Sequence, residues 1–92
     1  MHLEIVSPEA TLYTGEATSV TVPGVDGEFQ MLNDHAPIVA LLDKGTVKIK
    51  GGSFNEKNKK HFQAGKESGE YHLEIKSGTL EGKDNKVIIL AD

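Results

Sequence analysis

Four histidines, His2, His35, His61 and His72, are the side chains best suited to ligate a metal or move a proton. A metal centre of the cupin kind would gather two or three of them with a carboxylate. Their spacing argues against one. No two stand two positions apart, as neighbours on one strand face do. His2 and His72 alternate with apolar residues and so point outward, and His61 lies in a polar stretch. Nucleophilic chemistry has less support still. Cysteine is absent, and Ser7, Ser19, Ser53, Ser68 and Ser77 stand in no G-x-S-x-G elbow. The glycines form neither a dinucleotide fingerprint nor a P-loop. The expectation is a chain with no catalytic residue, no metal site and no bound cofactor. Lys57, Lys59 and Lys60 are diluted by Glu56 and Glu67, which reads as a solvated face rather than a membrane-surface patch.

The elements that would position any site are set by a short chain of modest charge. Its 92 residues make one small domain. Leu, Ile, Val and Phe together number 24, too many for a disordered chain carrying a net charge of only −4. That negative sign is wrong for a dedicated nucleic-acid binder, and all ten basic residues are lysine, which removes the bidentate guanidinium grip on phosphate. No apolar run is long enough to span a membrane, and the start MHLEIVSPEA lacks the basic and apolar regions of a signal peptide. A cytosolic, soluble protein is the expectation.

Periodicity is two nearly throughout, the signature of half-buried antiparallel strands. Leu3 and Ile5 alternate with His2 and Glu4, Val20 and Val22 with Ser19 and Thr21, and Val47 and Ile49 with Lys48 and Lys50. Tyr71, Leu73 and Ile75 alternate with His72, Glu74 and Lys76. Val87–Leu90 is apolar without a break and reads as a strand buried on both faces. Gly15 is expected to break one strand from the next, Pro23–Gly27 to supply a turn, Pro37 to open a strand, and Asp84-Asn85 to close a tight hairpin. Eight to ten short strands spaced by such signals make a β-sandwich or barrel, and the expected fold class is all-β, a two-sheet antiparallel β-sandwich of about ten short strands.

Residues 51–69 do not alternate. Ser53 and Glu56 have capping-box spacing, Phe54, Asn58, His61 and Phe62 would share a helical face, and Gly65 could end the turn. A short helix or mobile excursion over Phe54–Gln63 is predicted. The stretch Gly24–Pro37 is the other departure. Phe29 and Met31 alternate inward with Glu28, Gln30 and Leu32 outward, leaving an exposed strip beside two turns, where function sits on rigid scaffolds.

Several segments in fixed order carry a resemblance: Leu3–Glu9, Leu12–Glu16, Val22–Phe29, His35–Ile38, Gly45–Ile49, Ser77–Glu81 and Asn85–Asp92. Together they resemble the N-terminal β-sandwich domain of the epsilon subunits of F-type ATP synthases. The resemblance implies a non-catalytic rotor subunit of the central stalk, held between the gamma subunit and the c ring, coupling proton flow to ATP synthesis without binding nucleotide. It implies a bacterial complex, with this chain peripheral on the cytoplasmic face of the inner membrane. Carried over by position, Glu28, Phe29, Gln30 and Met31 would meet the c ring, and Ser7, His35 and Ala40 would face gamma. The family often has glycine where Gln30 stands and a polar residue where Ala40 stands. It usually continues into a two-helix C-terminal domain, expected to be absent here, and has a tight hairpin where residues 51–69 stand. That excursion would add a contact to gamma or the c ring. The alternative reading is a free-standing β-sandwich ligand-binding module, which would present a concave pocket with exposed aromatics.

Overall fold

The computed structural model describes all 92 residues. Ten strands form: β1 (His2–Val6), β2 (Thr11–Glu16), β3 (Ser19–Gly24), β4 (Gly27–Leu32), β5 (Ile38–Leu42), β6 (Gly45–Lys50), β7 (Gln63–Ala64), β8 (Glu70–Ile75), β9 (Gly78–Lys83) and β10 (Lys86–Ala91). One short helix, α1 (Glu56–Lys59), precedes β7.

Hydrogen bonding runs in the order β2-β1-β10-β9-β5-β3-β6-β8-β7, with β4 on the other side of β3. The path bends where β5 meets β3, because only Gly24 and Leu42 pair there. It thus divides into two five-stranded layers, β2-β1-β10-β9-β5 and β4-β3-β6-β8-β7. Leu3, Ile5, Leu80 and Ile89 from the first layer meet Val20, Val22, Val47 and Ile49 from the second, all fully buried in one apolar cluster. This is the expected sandwich, and the alternating residues of β1, β3 and β6 point as their pattern dictates, except that Ser19, expected outward, is buried at the start of β3. One ladder is not antiparallel: β1 runs parallel to β10, from His2 beside Lys86 to Val6 beside Leu90.

Four expectations are corrected. Gly15 does not end a strand; it lies inside β2, and the break falls at Ala17-Thr18. The Tyr13 ring packs across it, and a Cβ there would sit 3.3 Å from the Tyr13 hydroxyl. Asn55, not Ser53, caps α1, because its side chain accepts from the Lys57 and Asn58 amides while the Asn58 side chain accepts from the Asn55 amide. The helix is a single turn ending at Lys59, well short of Gly65, and β7 then returns the chain to β8. Finally, Val87–Leu90 is not buried on both faces. Val87 and Ile89 are buried, Ile88 is half-buried, and Leu90 is 54% exposed. A central strand has two neighbours in its plane, but only one of its faces looks into this core.

The Asp84-Asn85 turn matches its prediction: both residues take the left-handed conformation, at φ 53° and 58°, the requirement of a two-residue type I′ hairpin.

Candidate functional site

The candidate site is assembled by three connections at the rim of the sandwich. The first is the β3–β4 hairpin, in which Pro23 pairs with Glu28 and Gly24 with Gly27, leaving Val25-Asp26 as a two-residue loop. Two main-chain bonds tie this hairpin to β5: the Val25 amide donates to the Leu41 carbonyl at 3.0 Å, and the Asp43 amide to the Pro23 carbonyl at 2.8 Å. Glu28 therefore sits on a braced turn. Its carboxylate lies 3.4 Å from the Lys48 ammonium, an exposed pair worth at most about 1 kcal/mol. Gln30 follows on the same outward face. Phe29 is half-buried, its ring packed against Gly24, and Met31 is 1% exposed within the core. Of the four residues assigned to a c-ring contact, the fold thus presents Glu28 and Gln30 outward and turns Met31 inward.

The second and third connections hold His35 and Ser7. His35 is exposed in the β4–β5 connection, its Nδ1 2.7 Å from the Ala36 carbonyl. Ser7 closes the β1–β2 turn, its hydroxyl donating to the Ala10 carbonyl at 3.2 Å. His35 shares a small crevice with Met1 and Lys86, at the start of β10, whereas Ser7 follows Val6, which pairs with Leu90 near its end. The two residues stand at opposite ends of this ladder, roughly 13 Å or more apart at about 3.3 Å per residue. Ala40 pairs with fully buried Leu80 and packs against the core, between outward-facing Val39 and Leu41.

What lies between these ends is a surface that residue-by-residue reasoning missed. Val39 is 76% exposed and Leu41 is 61% exposed, both on the outer face of β5. Register places Leu41, Thr79 and Leu90 in one row across β5, β9 and β10, and Val39, Glu81 and Ile88 in the next. Val25, 52% exposed, adjoins Leu41 and Leu90 around a shallow depression of about 460 Å³. The signal was in the sequence: Ile38–Leu42 and Val87–Leu90 are unbroken apolar runs, so on a sheet with one inner face half of each run must point out.

The rest of the molecule offers little chemistry. No group of three or more His, Asp or Glu side chains converges as metal ligands would. None of the five aromatic residues is exposed, and four of them, Tyr13, Phe54, Phe62 and Tyr71, pack on one another. Burial pushes the Tyr13 hydroxyl above its ordinary pKa, with the Glu16 charge adding to this and the Ser53 amide opposing it. His72 hydrogen-bonds Glu70 and holds its carboxyl below the usual carboxylate range, helped by the charges of His72, Lys50 and Lys48 against partial burial. Beneath α1 a groove of about 570 Å³ opens against β2. No helix is long and apolar enough to cross a membrane.

Comparison with known proteins agrees with this architecture. The family described as "ATP synthase, Delta/Epsilon chain, beta-sandwich domain" matches residues 1–92. An ATP synthase epsilon chain of Chlorobium limicola is 37% identical over 90 residues, covering 98% of this chain and 86% of that one. That of Leptospira borgpetersenii is 38% identical over 92 residues, which is 61% of its length. That of Sulfurimonas denitrificans is 35% identical over 60% of its length. The chain therefore spans about three fifths of the latter two relatives. Among solved structures, a chain of the Tetrahymena thermophila mitochondrial ATP synthase central stalk and c ring shares the fold, with a TM-score of 0.71 at 18% identity, covering 99% of this chain and 62% of that one.

Proposed function

The chain belongs to the ATP synthase delta/epsilon-chain β-sandwich family, and from that premise we propose that it serves as a non-catalytic subunit of the central stalk of an F-type ATP synthase. In this reading it links the gamma subunit to the c ring and turns with both, so that proton flow is coupled to ATP synthesis on other subunits. The complex is bacterial, with this chain peripheral on the cytoplasmic side of the membrane.

The observation that carries this reading is the exposed apolar strip of Val39, Leu41 and Leu90 on a sheet whose other face is already filled. Large exposed side chains on β5 and β10, facing each other across Thr79 and Glu81 of β9, form a surface that favours a partner over water. Covering these three, each already partly sheltered, contributes on the order of 4 kcal/mol at the usual value per buried side chain. Gamma is the partner proposed for this face, with Ser7 and His35 at its two ends and Ala40 behind it. The Glu28 turn, projecting on its braced hairpin, is assigned to the polar loops of the c ring, with Gln30 beside it and Phe29 and Met31 fixing the strand from beneath. A packed core of this kind transmits strain rather than absorbing it, which suits a coupling element.

Two substitutions test the reading. Leu41→Lys replaces an exposed side chain, so the isolated domain keeps its fold, while assembly with gamma should fall by about tenfold or more, the equivalent of 1.4 kcal/mol. Glu28→Lys reverses a rim charge and should weaken c-ring docking while sparing the gamma contact. Tagged chain is recovered from gently solubilised membranes and its partners identified by mass spectrometry. Recovery of gamma, the catalytic subunits and the c ring with the wild type, and loss of gamma with Leu41→Lys, is the expected result. Recovery of the wild-type chain alone would sink the proposal.

A further inference from the structure

The groove between β2 and α1 lies on the layer's edge and is not used by either contact proposed above. Strand β2 ends the hydrogen-bonded path and pairs with β1 only. The Ala17 amide donates to the Met1 carbonyl at 3.0 Å and the Met1 nitrogen to the Ala17 carbonyl at 2.9 Å, a mutually bonded pair. Alternation then turns Gly15 and Tyr13, which face Leu3 and Ile5, toward β1. Thr14 turns its amide and carbonyl out to the free edge. A bulge follows, because Val6 pairs with Thr11 after Ile5 has paired with Tyr13, and this leaves Leu12 without a cross-strand partner.

The opposite wall of the groove has one sign of charge. Lys57, Lys60 and His61 line it, and neither lysine is engaged in an ion pair. No carboxylate lines the groove, in a chain whose net charge is −4. The wall is held in place from within: Phe54 and Phe62 pack on Tyr13, and the Ser53 amide donates to the Tyr13 hydroxyl at 2.9 Å. A free main-chain edge on one side and unpaired cations on the other select for an extended backbone that carries negative side chains.

We propose that the β2 edge and the α1 wall form a docking groove for an extended acidic peptide segment of another protein, taken by strand addition at Leu12 and Thr14 with its carboxylates against Lys57, Lys60 and His61. Main-chain bonds supply the affinity and the cations supply the choice of partner. The inference stands on the edge and its charge and does not depend on the rotor reading.

The test uses the full chain with three short synthetic peptides: one alternating Glu and Val, one alternating Lys and Val, and the Glu/Val peptide N-methylated at every second residue. Backbone amide resonances and exchange rates are followed to millimolar peptide. With the Glu/Val peptide the Leu12 and Thr14 amides should shift, saturate and gain protection. The Lys/Val peptide should bind about tenfold or more weakly, the N-methylated one should leave both amides unmoved, and rising salt should weaken the complex. Lys57→Glu with Lys60→Glu, both exposed, should weaken Glu/Val binding about tenfold while leaving the unfolding midpoint in place. Thr14→Pro removes this outward amide, fixes φ there and restricts Tyr13, and it should abolish binding in a variant whose unfolding midpoint is checked alongside. No response at Leu12 and Thr14, equal binding of the Lys/Val peptide, or equal binding of the N-methylated peptide overturns the proposal.

Discussion

Tyr13→Phe removes a single oxygen that joins the excursion to the body of the sandwich. The hydroxyl donates to the Glu16 carbonyl at 2.6 Å and accepts from the Ser53 amide at 2.9 Å, on a side chain only 1% exposed. Two such bonds contribute about 1 kcal/mol each, so the loss is about 2 kcal/mol, and more if the Ser53 amide and Glu16 carbonyl find no water. For a domain of this size that lowers Tm by roughly 8–16 °C. The phenyl ring still fills the site between Phe54 and Phe62, so the change isolates hydrogen bonding from packing. Urea unfolding measures the loss, and amide exchange locates it: Ser53 and the residues of α1 should lose protection before the strands do. The loss should also shrink in alkaline buffer. Burial raises the Tyr13 pKa above its unfolded value, so the stabilisation is complete below about pH 10 and fades as pH climbs toward the folded value. A destabilisation below about 0.5 kcal/mol with unchanged exchange at Ser53 would refute the claim that this hydroxyl anchors the excursion.

Three further outcomes are expected. Glu70 has a lowered carboxyl pKa, so its contribution is present above its unfolded value and disappears as pH falls through the folded one; Glu70→Gln should flatten the acid limb of stability measured in urea from neutral pH downward. Gly78→Ala places a Cβ 2.5 Å from the Leu90 carbonyl, a main-chain atom that cannot yield, and should cost about 2 kcal/mol or more, whereas at Gly82 the nearest atom is the mobile Met31 methyl and the same change should cost less; paired thermal melts decide it. Asn85→Ala puts a side chain without a polar group at φ 58° and removes the oxygen that accepts from the Asp34 amide at 2.8 Å, so about 1–2 kcal/mol should be lost in a melt without change of fold.

Strand existence was legible because alternation is enforced by burial: Leu3 and Ile5, Val20 and Val22, Val47 and Ile49 all point where their pattern demands. The Asp84-Asn85 turn was legible for an equally local reason, since few other residues tolerate two successive left-handed positions. What failed was decided by tertiary contact. Gly15 reads locally as a break, but it is the clearance that Tyr13 needs to reach Ser53 across the strand. Ser53 had the right spacing for a cap, yet its amide is engaged by Tyr13 and Asn55 takes the cap instead. The parallel β1–β10 ladder joins residues more than eighty positions apart, and no local pattern encodes it. Of the candidate site, the outward placement of Glu28 and Gln30 followed from period two, whereas the inward turn of Ala40 depended on knowing that β5 pairs with β9.

The unbroken runs Ile38–Leu42 and Val87–Leu90 bear most directly on function. In a free-standing sandwich each outer position of such a run lowers solubility and gains nothing for the core, so alternation would be the stable choice, as it is in β6. Both runs lie in the same layer, and register brings their outer residues together across a single intervening strand. The opposite layer presents Lys48, Lys50, Glu74 and Gln30 on its exterior instead. Large exposed apolar side chains are concentrated on this layer, with Leu32 at the end of β4 the exception, and this supports the proposal that the layer packs against a partner. Substituting the outer positions with threonine should therefore raise the solubility of the isolated chain, leave its melting temperature within a few degrees, and reduce its recovery with the other stalk subunits. A fall in stability comparable to that of a core substitution would show instead that these side chains belong to the fold itself.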